Sequence, residues 1–320
     1  MKLRVRHQIF FLAAIVLVIY YPALSAGVNS VDDSRIVAAY GMGAGKGLAE
    51  IFLSSGNYYY RPLVALSYYL DNLLWCMHPR FMHLENILYH LLNTLLLFFI
   101  ARQLAGAWGV KSPWFPLASA LLFAVHPINT ESVTWIAGRT DPLAAIFIFS
   151  AIWCLLQCLI KGRLQYLYPV LLLFILGVLT KEIAFCFLPV ALLLAISWPG
   201  EVRIRPTLLR LLAGLSVSVL LLVLVFITFS RTFSVTAFLS SSRGGVLLSV
   251  QNALMALGFY LKKLIFPLPL NFAIDAVSSF YILPGVLFVL LWPFCLKMRT
   301  LLPLLAVVCG VFLFPSLLVS

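Results

Sequence analysis

Pro142-Leu-Ala-Ala-Ile-Phe-Ile-Phe-Ser-Ala-Ile-Trp-Cys-Leu-Leu-Gln-Cys-Leu-Ile160 runs for nineteen residues without a charge. At a rise of about 1.5 Å per residue, a helix of that length matches the roughly 30 Å of hydrocarbon in a bilayer. Similar apolar runs lie near residues 8–24, 83–101, 114–126, 164–180, 183–198, 208–229, 281–296 and 301–319. Several are shorter than the roughly 20 residues a straight span needs, so their ends are soft. Of the 320 residues 63% are hydrophobic and 10% charged, and the mean hydropathy is +1.07. No soluble core needs that much apolar residue. The expected fold is all-α: a polytopic membrane protein with about nine transmembrane helices, plus interfacial helices in two long outer loops. Residues 1–320 read as a single membrane domain, with no internal repeat and no low-complexity linker.

The loops set the orientation. With the N-terminus inside, the inner loops hold Lys2, Arg4, Arg6, Arg102, Lys111, Lys161, Arg163, Arg203, Arg205, Arg210, Lys297 and Arg299, against the single acid Glu201. That asymmetry obeys the positive-inside rule. Much of the net charge of +12 is thereby explained by inner loops beside anionic lipid. No basic, aromatic surface patch points to nucleic acid, so nucleic acid is excluded as a partner. The other nine acids, Asp32, Asp33, Glu50, Asp71, Glu85, Glu131, Asp141, Glu182 and Asp275, fall outside. Carboxylates orient a membrane protein only weakly, so their clustering marks a working surface.

Met1-Lys-Leu-Arg-Val-Arg-His before the run Ile9–Tyr20 has the form of a signal peptide, and Ala23-Leu-Ser25 would serve as a cleavage site. The favoured reading is an uncleaved first helix, because the rest of the chain is itself membrane-embedded. The six cysteines form no Cys-x-x-Cys; Cys154 and Cys158, one helical turn apart, read as packing residues.

Two outer segments are long, 25–82 and 230–280. The first passes through Gly41, Gly43, Gly45 and Gly47 to Tyr58-Tyr-Tyr-Arg61-Pro62 and a helical run from Leu63 to Trp75. Pro62 suits a first helical position, and the run suits a helix lying at the interface. The second holds a turn at Ser240-Ser-Ser-Arg-Gly-Gly, then an interfacial helix with Lys262 and Lys263.

Four constellations can carry chemistry. Val31-Asp32-Asp33-Ser34-Arg35 offers two carboxylates just beyond the first helix, as a general base or a cation site, or simply as a solvated turn or helix cap. His126-Pro-Ile-Asn-Thr-Glu131, followed by Gly138-Arg139-Thr-Asp141, packs ionisable groups between two apolar runs, where such groups usually line a cavity or pair with each other. Arg139 offers a planar fork for phosphate or carboxylate; the alternative is an ion pair with Glu131 or Asp141. In Thr180-Lys181-Glu182, Lys181 either contacts phosphate or marks a turn. His83, Asn86, His90 and Asn93 share one helix face. Their spacing favours interhelical hydrogen bonds over metal binding.

In order, these segments resemble the membrane part of the transmembrane-and-tetratricopeptide-repeat (TMTC) proteins and their bacterial relatives, in the C superfamily of glycosyltransferases. The likeness is carried by Asp32-Asp33-Ser34-Arg35, Tyr60-Arg-Pro-Leu, Leu66-Ser-Tyr, His83-Leu-Glu-Asn86 and His90-Leu-Leu-Asn93. It continues through Phe123-Ala-Val-His126-Pro-Ile-Asn-Thr-Glu131, Gly138-Arg-Thr-Asp141, Thr180-Lys-Glu182 and Leu257-Gly-Phe-Tyr260. The His-Pro-x-x-Thr-Glu…Gly-Arg segment is its most specific part. The resemblance implies transfer of a sugar, mannose first, from a polyprenyl phosphate to Ser or Thr hydroxyls of a protein outside the membrane, with inversion. An acid of the first outer loop is the base in that superfamily; here the role falls on Asp33, or on Asp32. Arg35, Arg61, His126, Glu131, Arg139, Asp141, Lys181 and Glu182 are the substrate-binding candidates. No cofactor is required; a divalent metal on the Asp pair is an option. The implied partners are membrane lipid, the polyprenyl-phosphate sugar and a protein or glycolipid acceptor. The implied location is a bacterial inner membrane, with the site on the periplasmic face.

Three other readings stand beside this one. Sugar could pass to a glycolipid or polymer. A transporter would spread ionisable residues near the midplane, against the acid asymmetry. The chain could also be a non-catalytic, truncated membrane part, because it stops at Phe314-Pro-Ser-Leu-Leu-Val-Ser320 with no polar tail and without the family's later helices or repeats.

Overall fold

A computed structural model describes residues 4–28, 30–41, 47–52, 60–229, 245–268 and 277–297. Every regular element among them is helical. The span expected at 301–319, Gly43, Gly45, the turn from Ser240, Tyr58, Tyr59 and Asp275 lie outside the described residues. The described residues divide into two compact units, the first built from residues up to Lys161 together with Gln165–Phe185.

In the first unit α1 (Val5–Tyr20) continues as a 3-10 turn through Ser25. Then come α2 (Val31–Tyr40), α3 (Leu48–Phe52) and α4 (Pro62–Trp75). Next are α5 (Pro79–Ala107), α6 (Phe115–Val125), the short α7 (Thr130–Thr134), α8 (Thr140–Lys161) and α9 (Leu167–Val178). Three helical stretches are long and apolar enough to cross a membrane: Val5–Ser25, Pro79–Ala107 and Ala137–Lys161. The apolar helices Phe115–Val125 and Leu164–Val178 are shorter.

α5 is the hub, packed on α1, α6 and α8, while α9 packs on α8. The polar stripe of α5 explains the arrangement. His83 Nε2 lies 2.9 Å from Gly27 O, and His90 Nε2 lies 3.1 Å from Ala124 O. Asn86 Nδ2 donates to Trp135 O and Asn93 Nδ2 to Pro142 O, both at 2.8 Å. All four side chains are buried. Each reaches a backbone carbonyl where another segment begins or ends, so the stripe ties the end of α1, the end of α6, the 130–139 segment and the start of α8 to α5 along about 15 Å of its length. Interhelical hydrogen bonding, the reading favoured from the spacing, is what these side chains do. Tyr20, Ala23, Ile87, Ala124 and Val133 close the apolar core beside the stripe.

α4 starts at Pro62, as its missing N–H and fixed φ favour. It is apolar outside and polar inside. Leu70, Leu73 and Leu74 are exposed, whereas Ser67, Tyr68 and Asp71 are buried. A helix in water would show the reverse; this pattern suits the helix expected at a membrane interface.

In the second unit α10 (Phe187–Ser197) packs on α11 (Arg205–Phe229), and α12 (Gly245–Ile265) on α13 (Ile282–Lys297). α12 is the helix expected to carry Lys262 and Lys263. Gly258 accounts for the Leu257-Gly-Phe-Tyr260 motif: a Cβ there would lie 2.0 Å from Tyr281 O, so α12 meets the start of α13 backbone to backbone.

Candidate functional site

The site is built among the helix ends that the α5 stripe ties together. Ser30 caps α2, its Oγ accepting from Asp33 N at 3.0 Å. Ser30-x-x-Asp33 has the form of a capping box, in which the acid would reach back to the cap residue. Here the Asp33 carboxylate turns away, and Oδ1 accepts the Ala137 N–H at 2.9 Å. Ser30 Oγ also accepts Trp135 Nε1–H at 2.6 Å. Both residues therefore dock α2 onto the turn that precedes α8. Asp33 is fully buried, and its Oδ2 has no hydrogen-bond partner among the described residues. Asp32 is different. It is 55% exposed and pairs with the exposed Arg35 at 3.6 Å. The two adjacent carboxylates occupy unlike environments. Among the described residues no three His, Cys, Asp or Glu side chains gather as a metal ion would require.

The 126–141 segment is folded on itself. His126 Nδ1 accepts from Ile128 N at 3.2 Å, and Asn129 Nδ2 donates to Phe123 O at 2.7 Å. Gly138 is needed because a Cβ there would lie 2.9 Å from Glu131 O and 3.1 Å from Ser132 Cα. The side chain of Arg139, one residue later, is fully enclosed. Its Nη1 meets Asp71 Oδ2 at 2.6 Å, Glu85 Oε2 at 3.6 Å and Ser67 Oγ at 3.2 Å. Tyr68 stacks on the guanidinium at 4.5 Å, and its hydroxyl donates to Ile136 O at 3.3 Å. The sequence suggested Glu131 or Asp141 as ion-pair partners of Arg139; the structure gives it Asp71 and Glu85.

The remaining charges meet nearby. Arg61, at the start of α4, grips Glu182 with Nε–Oε1 at 3.2 Å and Nη2–Oε2 at 2.7 Å. Lys181 pairs with Asp141 at the start of α8. The Thr180-Lys-Glu turn is thus tied to α4 and α8 at once. Glu131 is exposed at its edge, its carboxyl raised first by partial burial and then by the Asp141 charge, with Lys181 opposing. Arg61, Glu131, Asp141, Lys181 and Glu182 form one charged rim. Its cations are partly exposed, whereas Arg139 is enclosed.

Comparison with known proteins gives sequence relatives. Residues 78–229 match the family described as dolichyl-phosphate-mannose-protein mannosyltransferase. Protein O-mannosyl-transferase TMTC1 of Mus musculus is 36% identical over 125 residues, 39% of this chain. Protein O-mannosyl-transferase Tmtc1 of Drosophila melanogaster is 31% identical over 183 residues, 54% of this chain. The chain is TMTC-like. It covers 12% of the length of the mouse relative and 21% of that of the fly relative. No solved structure matches it.

Five residues of this arrangement were not among the site candidates read from the sequence. Ser67, Tyr68 and Asp71 lie one turn apart or less on a helix otherwise apolar, and that polar stripe was the available signal. Ser30 was legible as a capping position three residues before Asp33. Glu85 was legible only as one of the nine outer acids and as part of the His83-Leu-Glu-Asn86 motif. Its roles, accepting from Trp75 Nε1 at 2.9 Å and pairing with Arg139, arise from tertiary contact alone.

Proposed function

We propose that the chain transfers mannose from a polyprenyl-phosphate donor to Ser or Thr hydroxyls of a protein on the outer face of a membrane, with Asp33 as general base. The observation that carries this reading is Asp33 itself: a buried carboxylate with one oxygen fixed by Ala137 N–H and the other unpaired among the described residues. Leaving a buried acceptor unpaired costs about 1–3 kcal/mol, and such groups call for a functional explanation. The names of the relatives supply the reaction class.

In the proposed step the acceptor hydroxyl oxygen bonds to the anomeric carbon, while its proton passes to Asp33 Oδ2. The bond from that carbon to the phosphate oxygen breaks on the opposite side, giving inversion. The departing phosphate gains charge, which the partly exposed Lys181 and Arg61 stabilise. Oδ2 lies beneath the surface, so the acceptor reaches it through a local opening that leaves the bond to Ala137 in place. The exposed leucines of α4 keep the polyprenyl tail beside the charged rim.

The test is incubation of membranes containing this chain with labelled polyprenyl-phosphate mannose, beside Asp33→Asn. Label entering protein only with the unaltered chain supports the reading. Label entering lipid instead overturns the protein acceptor, and equal transfer by both chains overturns the base.

A further inference from the structure

We propose that Asp71, Glu85 and Arg139 are positioning residues for Asp33, a buried ionic clasp that fixes the turn whose amide holds the base. The inference rests on reading Asp33 as the base.

The clasp can be followed atom by atom. The Arg139 guanidinium joins two helices, meeting Asp71 and Ser67 on α4 and Glu85 on α5, and its Nη2 reaches Met82 O on α5 at 3.5 Å. Tyr68 reinforces the α4 side by stacking on the guanidinium while bonding Ile136 O. Ile136 and Arg139 bracket Ala137, whose N–H holds Asp33 Oδ1. Trp75 Nε1 and Tyr89 OH, at 2.9 and 3.4 Å, fix the two Glu85 oxygens. Asp33 is thus two links from a cation locked between α4 and α5.

Stability does not account for such a cluster. Buried ion pairs can often be replaced by apolar side chains at no cost, because desolvation consumes the Coulombic gain. What charges supply that leucines do not is direction. A planar fork meeting several acceptors admits few orientations, and a base misplaced by about 1 Å can lose about a hundredfold in rate.

Arg139→Lys is the discriminating variant, since it keeps the charge but not the fork. Expected is a fall in kcat of at least about tenfold per folded molecule, with KM for donor within about twofold. Hydrogen–deuterium exchange should quicken in peptides covering 30–37 and 135–139, while the centre of α5 stays protected. Glu85→Gln, which removes a partly exposed partner, should do the same more weakly and decides the matter if Arg139→Lys does not fold. A cluster that only stabilises would lower the folded fraction and leave kcat per folded molecule unchanged; that result, or unchanged exchange at 135–139, overturns the proposal. If the unaltered chain transfers no sugar, the functional reading fails, and the exchange data still decide whether the clasp holds the Asp33 turn.

Discussion

Arg139 and Asp71 lie 68 positions apart in sequence, yet their charged atoms meet at 2.6 Å with both side chains fully enclosed. Removing one partner leaves the other charge buried and uncompensated, which typically costs about 3–5 kcal/mol. Arg139→Met should therefore lower the thermal midpoint in lipid nanodiscs far more than Arg139→Met combined with Asp71→Leu. Equal losses in the single and double variants would show that the pair does not act as a unit.

These long-range pairings mark the boundary of what was readable in the sequence. Helix α4 was legible because Pro62 fixes its start locally, and the α5 stripe because a spacing of three and four declares a shared face. The partner of Arg139 was not legible. Glu131 and Asp141 are its neighbours in sequence, but an ion pair forms with whatever the packing of helices brings near, here Asp71 and Glu85. Asp32 and Asp33 could not be separated for the same reason: their difference arises only when α2 docks on the turn at Ala137. The expected spans were legible as apolar runs. Among the described residues three helical stretches stand out by combining the length and hydropathy of a full crossing.

Asn93 donates to Pro142 O from a buried position on α5. Side-chain hydrogen bonds between membrane helices are worth about 0.6 kcal/mol on average and up to about 2. Asn93→Leu should cost about that much in unfolding free energy, well below the cost of breaking the Arg139 pair. A loss above about 3 kcal/mol would mean that the stripe, rather than apolar packing, holds α5 to α8.

Gly258 and Gly106 should respond oppositely to alanine. At Gly258 the new methyl would lie 2.0 Å from Tyr281 O, whereas at Gly106 nothing lies within 4 Å. Overpacking typically costs about 1–3 kcal/mol, while alanine in a helix gains about 0.5–1 kcal/mol over glycine. The thermal midpoint should therefore fall for Gly258→Ala and hold or rise for Gly106→Ala. A neutral Gly258→Ala would contradict the close crossing of α12 and the start of α13.

Asp33→Asn separates basicity from structure. The amide oxygen of Asn can still accept the Ala137 N–H, so α2 should stay docked and the thermal midpoint should change little. What disappears is a group able to take a proton, and general-base catalysis is typically worth about 10²–10⁴ in rate. Sugar transfer should fall by that factor in Asp33→Asn. In Asp32→Asn, which loses only an exposed pairing with Arg35, it should stay within a few-fold of the unaltered chain. The reverse ranking in the two variants, at equal folded fractions, would move the base to Asp32 and leave Asp33 as the residue that docks α2.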